Sequence, residues 1–265
     1  MKRNKLLTVI IPTYNRKINK KILEIFLKFE KKIQVLIIED GSISKIKNEN
    51  QNITKYYKNI NYYFYKKNKG QSVACNFGLK KVFTKYIWFF DDDDYVSVLA
   101  IKKIILILEK KNCDGYLLPM CQIYNKEIIK KVEPSVRPHT FNDLRSNGQL
   151  VSTSCSIFKT KIVKKINGWD ENLYGGTDTD LFLRFSKIGK FNFIKCDPIR
   201  IDISSPGRLT NKVFRQVKAK IIFLKKHWKD LTIKRNLYYV YSCIMLYPLF
   251  YSLKNYLNYL KKKNV

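Results

Sequence analysis

The stretch Tyr86–Tyr95, YIWFFDDDDY, limits what this chain can fold into more than any other. An aromatic, apolar run, Tyr86–Phe90, meets four consecutive carboxylates, Asp91–Asp94. The run reads as a strand buried on both faces, the pattern of a parallel sheet. Carboxylates crowded where such a strand leaves the core repel one another and lose hydration. They either stay in water as a solvated acidic turn or are neutralised by a cation. A divalent, oxygen-seeking ion such as Mg²⁺ or Mn²⁺ is the natural partner, with phosphate oxygens completing its shell. In open α/β sheets, ligands bind beyond the carboxyl ends of the strands. An otherwise basic chain gathers its acids at such an end, which favours a metal–diphosphate site over the solvated turn.

At 265 residues, 45% of them hydrophobic, the chain can bury one large α/β domain with an appended tail. The formal charge of +31 comes mostly from Lys, in a sequence also rich in Ile and Asn. It looks partly like coding bias, but it still favours anionic partners: phosphorylated substrates, acidic lipid or nucleic acid. The six cysteines are scattered, with no CxxC pair and no Cys/His cluster, which suits reduced thiols in a cytoplasm. The basic start followed by Leu6–Ile11 is too short for the ~7–15 residue apolar core of a signal peptide. It reads as a strand.

Leu6–Ile11 is a buried strand closed by Pro12, with Thr13–Arg16 as the turn and a helical pattern over Ile18–Phe29. Ile33–Ile38 is a second strand, ending in Glu39-Asp40-Gly41-Ser42. Two such units with short loops imply a parallel sheet with right-handed crossovers. Asn61–Tyr65 reads as a third strand. A helix over Ser72–Val82 follows, with Ser72 as N-cap, and Lys69 beside its start could attract a phosphate. The strand Tyr86–Asp94 precedes a helix over Val98–Lys111. Beyond it, Tyr116–Tyr124 reads as one strand or hairpin segment and the 127–150 region as an irregular excursion. Val151–Phe158 reads as a strand, Lys159–Ile166 as a short helix. Thr177 or Asp178 can cap a helix running to about Ile188, on which Asp180 and Arg184 can pair at i, i+4.

From Ser205 onward, fourteen Lys/Arg face a single acid, Asp230, with apolar and aromatic residues interleaved. Leu237–Leu253 holds five Tyr, two Ser and Pro248, and falls short of the ~20 residues of a comfortable transmembrane span. A basic, Tyr- and Trp-bearing amphipathic tail suits an anionic membrane surface or packing against the domain's own flank. RNA could use the same residues, but no recognition-module motif is present.

In order along the chain stand TVIIPTYNR, LIIEDGS, NKGQSVACNFGL, YIWFFDDDD and INGWDENLYGGTDTDLFLR. Each is a weak signal, but five in this order resemble the family 2 glycosyltransferases of the GT-A fold, over about Leu6 to Phe193. The resemblance implies a GT-A-like α/β fold, Rossmann-related, with a mostly parallel central sheet flanked by helices. Residues 1–204 would form the domain, 1–97 binding the nucleotide-sugar and 98–204 the acceptor, and 205–265 the basic helical tail. It implies an inverting transferase using a nucleotide-diphosphate sugar, with Mg²⁺ or Mn²⁺ as cofactor. Carried over by position, Pro12, Thr13, Tyr14 and Arg16 would contact the nucleotide, with Tyr14 stacking. Asp40 would accept from the base, favouring uracil, and Asn76 and Asp92 would complete the donor contacts. Asp91 and Asp93 would hold the metal, Asp178 would be the general base, and Arg208 could add a cation over the diphosphate.

The chain departs from the pattern in three places. Thr177 stands where an acid is common, Cys75 where an Arg often precedes Asn76, and Glu39 where the family usually has Asp. The expected partners are a nucleotide-sugar donor, a glycan or lipid-linked acceptor such as lipooligosaccharide or capsule, and the cytoplasmic face of the membrane; nucleic acid is not expected. Two other readings compete. A sugar nucleotidyltransferase would want a Gly-rich basic loop after the first strand, and Pro12–Asn15 is not one. A basic RNA- or membrane-binding protein would account for the charge but not for four Asp ending a buried strand.

Overall fold

The computed structural model describes residues 5–173, 175–204 and 213–245. Its centre is a seven-stranded sheet in the order β3-β2-β1-β4-β8-β5-β9. The strands are β1 (Leu7–Thr13), β2 (Ile33–Asp40), β3 (Ile60–Tyr65), β4 (Tyr86–Phe89), β5 (Gly115–Leu117), β8 (Ser156–Lys159) and β9 (Phe191–Phe193). All run the same way except β8, which is antiparallel to β4 and β5. A smaller sheet, β10-β6-β7, joins β10 (Ile199–Asp202), β6 (Met120–Tyr124) and β7 (Glu127–Val132). The architecture is thus the expected α/β fold with a mixed, mostly parallel sheet flanked by helices.

The apolar runs explain the centre. Every residue of β4 is buried, and six of the seven in β1. Trp88 and Phe90 pack edge-on against Phe26 of α1 (Lys20–Leu27), with ring centroids 5.8 and 5.4 Å away. Polar side chains start the flanking helices: Asn19 accepts from the Lys21 amide at 3.0 Å, and Ser97, starting α4 (Val98–Lys110), accepts from Ala100 at 3.0 Å. Parallel register aligns Thr13 with Glu39 and Ile10 with Phe89. The loops after β1, β2 and β4 therefore leave the sheet along one edge.

Several elements differ from expectation. The fourth strand ends at Phe89, and the acids belong to the turn beyond it, where the Asp94 amide donates to the Asp91 carbonyl at 3.2 Å. Helix α3 spans Gln71–Leu79 and is capped by Gly70, at φ 98°, not by Ser72. The segment Tyr116–Tyr124 splits at Leu118-Pro119 into two strands of different sheets, since Pro cannot donate to a continuous ladder. The 127–150 excursion holds β7, turned tightly from β6 through Asn125 and Lys126 with positive φ, and α5 (Phe141–Asn147). Val151–Phe158 begins with a 3₁₀ turn, Thr153–Cys155, before β8. After α6 (Thr160–Lys165), α7 (Thr177–Ser186) is capped by Gly176 in the left-handed region; Thr177 and Asp178 fall inside its first turn. Helix α2 (Ser44–Thr54) covers β3.

In the tail, α8 (Val213–His227) and a helical stretch over residues 233–245 lie against the domain. Ala219, Phe223 and Leu231 are buried. Among the described residues no helix is long and apolar enough to cross a membrane. Tyr174, Arg208 with the loop around it, and the chain after residue 245 lie outside the described residues.

Candidate active site

The acid turn is held from both sides. Asp92 accepts from Thr13 Oγ1 at 2.6 Å and pairs with Arg16, which also reaches Asp93 at 3.2 Å. Asp91 accepts from Gln71 Nε2 at 2.8 Å, and its backbone amide donates to Ser154 Oγ at 3.0 Å. Burial pushes the Asp92 carboxyl above the ordinary carboxylate range, against the pull of Arg16 and Thr13. Carboxylate oxygens of Asp91, Asp93 and Asp94 converge within 4.8 Å of one another. Such clustered hard oxygen donors fit Mg²⁺ or Mn²⁺ and not a thiophilic metal. Asp94, almost wholly buried, joins the two acids singled out from sequence.

Residues from β2 brace the neighbouring loops. Glu39 is fully buried, accepting from Ser42, from Asn50 Nδ2 at 2.7 Å and from the Tyr62 hydroxyl at 3.1 Å. Asp40 accepts from the Lys69 and Gly70 amides at 2.8 Å each and from Asn68 Nδ2 at 2.9 Å, pinning the loop before α3. Burial raises its carboxyl despite those donors. A Cβ on Gly41 would lie 2.3 Å from the Lys67 carbonyl carbon and the Asn68 nitrogen, so this junction requires glycine. Asn76 spends its amide inside the protein: it donates to the Trp169 carbonyl at 2.9 Å and Glu171 at 2.8 Å, and accepts from the Trp169 amide at 2.8 Å. Tyr14 is half exposed beyond β1, beside Pro12 and Thr13.

Asp178 lines a cavity of about 640 Å³ on the same side of the sheet. The cavity also takes in Gln71, the residue that orients Asp91, and Gln149. Asp178 keeps some exposure into this space, yet protein closely surrounds its carboxylate. Desolvation raises its pKa, with hydrogen bonds from Gln149, Thr177 and Thr153 opposing. Cys75, fully buried on α3, feels Asp91, Asp178 and Asp40 together, and burial with those charges keeps its thiol protonated. Three carboxylates from distant parts of the chain thus meet around α3. A buried Cys75 offers no cation toward a diphosphate, unlike the Arg it replaces in the family pattern.

Gln71, Gln149, Thr153 and Ser154 were not singled out from sequence. Their signal was weak: VSTSC looks like ordinary strand, and nothing in a Gln marks the carboxylate it will meet.

The sequence profile of glycosyl transferase family 2 matches residues 8–166, more than half of the chain. The chain belongs to glycosyltransferase family 2. The match stops before Asp178 and the tail, short of the span the motifs suggested. An uncharacterised glycosyltransferase of Rickettsia felis is 40% identical over 108 residues, 40% of this chain and 17% of that protein. The teichoic acid poly(glycerol phosphate) polymerase of Staphylococcus epidermidis is 29% identical over 194 residues, 70% of this chain and 26% of its own. The chain thus spans only a fraction of the length of these relatives. Among solved structures, S. aureus TarS 1–349 in complex with UDP-GlcNAc superposes with a TM-score of 0.64 at 16% identity, covering 83% of this chain and 66% of that one. The mannosyltransferase PcManGT of Pyrobaculum calidifontis, in complex with GDP-Man and Mn²⁺, gives 0.56 at 15% identity, covering 85% and 65%. Both share the fold of this family 2 chain. Membership favours sugar transfer over the nucleotidyltransferase and RNA-binding readings.

Proposed function

We propose that the chain is an inverting glycosyltransferase, moving a sugar from a nucleotide diphosphate, UDP first among candidates, to a hydroxyl of a cell-surface glycan. The observation that carries this is the shared cavity: Asp178 lines the same space as Gln71, which holds Asp91 of the acid cluster. A relative that is a teichoic acid polymerase, and structural neighbours solved in complex with UDP-GlcNAc or with GDP-Man and Mn²⁺, support the reading.

Asp91, Asp93 and Asp94 would hold the divalent ion, which when bound balances the charge of the departing diphosphate. Arg16 bridges Asp92 and Asp93, sharing its positive charge between the two side chains. Pro12, Thr13 and Tyr14 would flank the nucleoside at the end of β1. Asp40 already serves three protein donors, and a carboxylate has about four lone-pair sites, so one remains for a base N–H. Asn76 would act through the 168–171 loop it latches. Asp178 would accept the proton of the acceptor hydroxyl as its oxygen bonds to the anomeric carbon and the bond to the diphosphate breaks. A carboxylate with a raised pKa is the better base for that step.

The tail would rest on an anionic membrane. Ile233, Leu237, Tyr241 and Ile244 are each more than half exposed, at helical spacing, and Trp228 lies exposed nearby among lysines. The lipid-linked or surface glycan would then be met from the cytoplasmic side.

Asp178→Asn tests the assignment. The substitution should leave the UDP dissociation constant within about twofold and lower sugar transfer by about 10²–10⁴-fold. Transfer at the wild-type rate would remove Asp178 from the chemistry.

A further inference from the structure

The tail does more than cover the domain. Phe223 of α8 and Tyr239 of the following helix line the Asp178 cavity, their rings 5.2 Å apart and tilted by 43°. Lys220, one turn before Phe223, lines it too. The approach of α8 is close: a Cβ on Gly175 would meet the Ala219 Cβ at 2.9 Å. The helix is bolted in place at its far end. Asp180, fully buried two residues beyond Asp178, accepts from His227 at 2.8 Å and Lys226 at 2.5 Å, and Lys226 also reaches Asp170 at 2.6 Å. A wall so fixed belongs to the cavity.

The chemistry of that wall is specific. Lys220 donates one N–H to Ser242 Oγ at 3.1 Å, and its ammonium has two more. Lys69, which also lines the cavity, sits over the Tyr65 ring at 5.6 Å. Among the described residues neither lysine forms a salt bridge; Lys69 is exposed, whereas Lys220 is half-buried in the cavity wall, where an ammonium favours an anionic partner. Phe223 is almost wholly buried and Tyr239 half-buried, so the pair makes this part of the lining apolar, a surface suited to the C–H face of a sugar ring.

Resting on the transferase reading above, we infer that the acceptor is a sugar carrying an anionic group, a phosphate or a carboxylate, on a carbon other than the reacting one. The ring lies against the apolar wall at Tyr239, the reacting hydroxyl faces Asp178, and the anionic group meets Lys220. The tail, outside the part of the chain matched by the family profile, thereby sets acceptor choice.

The test uses the full chain saturated with UDP and Mn²⁺, titrated with glucose, glucose 6-phosphate and glucuronate and followed by ligand-observed NMR. Charged sugars should bind about tenfold more tightly than glucose, the size of one charge-assisted contact. Lys220→Ala should erase that preference while holding the UDP dissociation constant within about twofold. Lys229→Ala, removing an exposed charge elsewhere on the tail, should change neither. Equal binding of charged and neutral sugars, no sugar binding while UDP still binds, or an equal loss in Lys229→Ala would each overturn the inference. Failure of UDP itself to bind is a separate result that sinks the donor-site reading and this inference with it.

Discussion

Asp178 is a carboxylate held largely out of water, and that placement has a measurable cost and use. Burial raises its pKa, so the base form is lost at a higher pH than for an ordinary Asp near ~3.9. Transfer should therefore rise with pH through an acid limb displaced upward from that value, and Asp178→Asn should abolish the limb; a rate–pH profile reads both. At the acid turn, Asp93→Ala removes one of three converging oxygen donors and one partner of Arg16. Metal-dependent nucleotide affinity should drop by at least about tenfold, with thermal stability little changed, since Asp93 is partly exposed at the turn. These acids were legible because carboxylates at the end of an apolar strand demand an explanation. Asp94's part and the service of Gln71 and Ser154 were not. Beyond the strand end no period dictates where a side chain points.

Among the elements, the junction of α7 with α8 gathers a connected set of charges. Asp180 accepts from Arg184 at 2.5 and 2.8 Å as well as from Lys226 and His227, which hold its carboxyl well below the usual range despite burial. His227 also meets Asp230 at 2.9 Å, and Asp230 pairs with Lys187 at 2.7 Å. A depressed carboxylate pKa contributes stability that is present above its unfolded value, ~3.9, and lost as pH falls toward the folded one. Hydrogen exchange in α8 should accelerate selectively over that acid window. Breaking the cluster by Asp180→Asn should cost about 3–5 kcal/mol, because the largely buried Arg184 guanidinium loses its carboxylate. Denaturant unfolding measures it. The Asp180–Arg184 pair was readable from i, i+4 spacing. Its partners on α8 were not, since they lie more than forty residues away. The cap at Gly176 was missed because a left-handed glycine leaves no side-chain signature, and the split at Leu118-Pro119 because apolar character continues through it.

At the scale of the molecule, a basic body carries an exposed apolar row along residues 233–245. Vesicles containing anionic lipid should bind the protein more tightly than neutral ones, with affinity falling as salt rises. Leu237→Glu should weaken co-sedimentation without altering UDP binding. The mostly parallel sheet and its ligand-bearing edge were plain from buried runs that each end in polar residues. The second sheet was not, because its strands are short and half exposed. The central claim is a metal-assisted nucleotide-diphosphate site at that edge, tested most directly by calorimetric titration with UDP in Mn²⁺ and again in EDTA. The account predicts saturable binding with Mn²⁺ that weakens at least about tenfold on chelation. Absence of binding to UDP, and then to GDP, dTDP and CMP, in the presence of Mn²⁺ would contradict it.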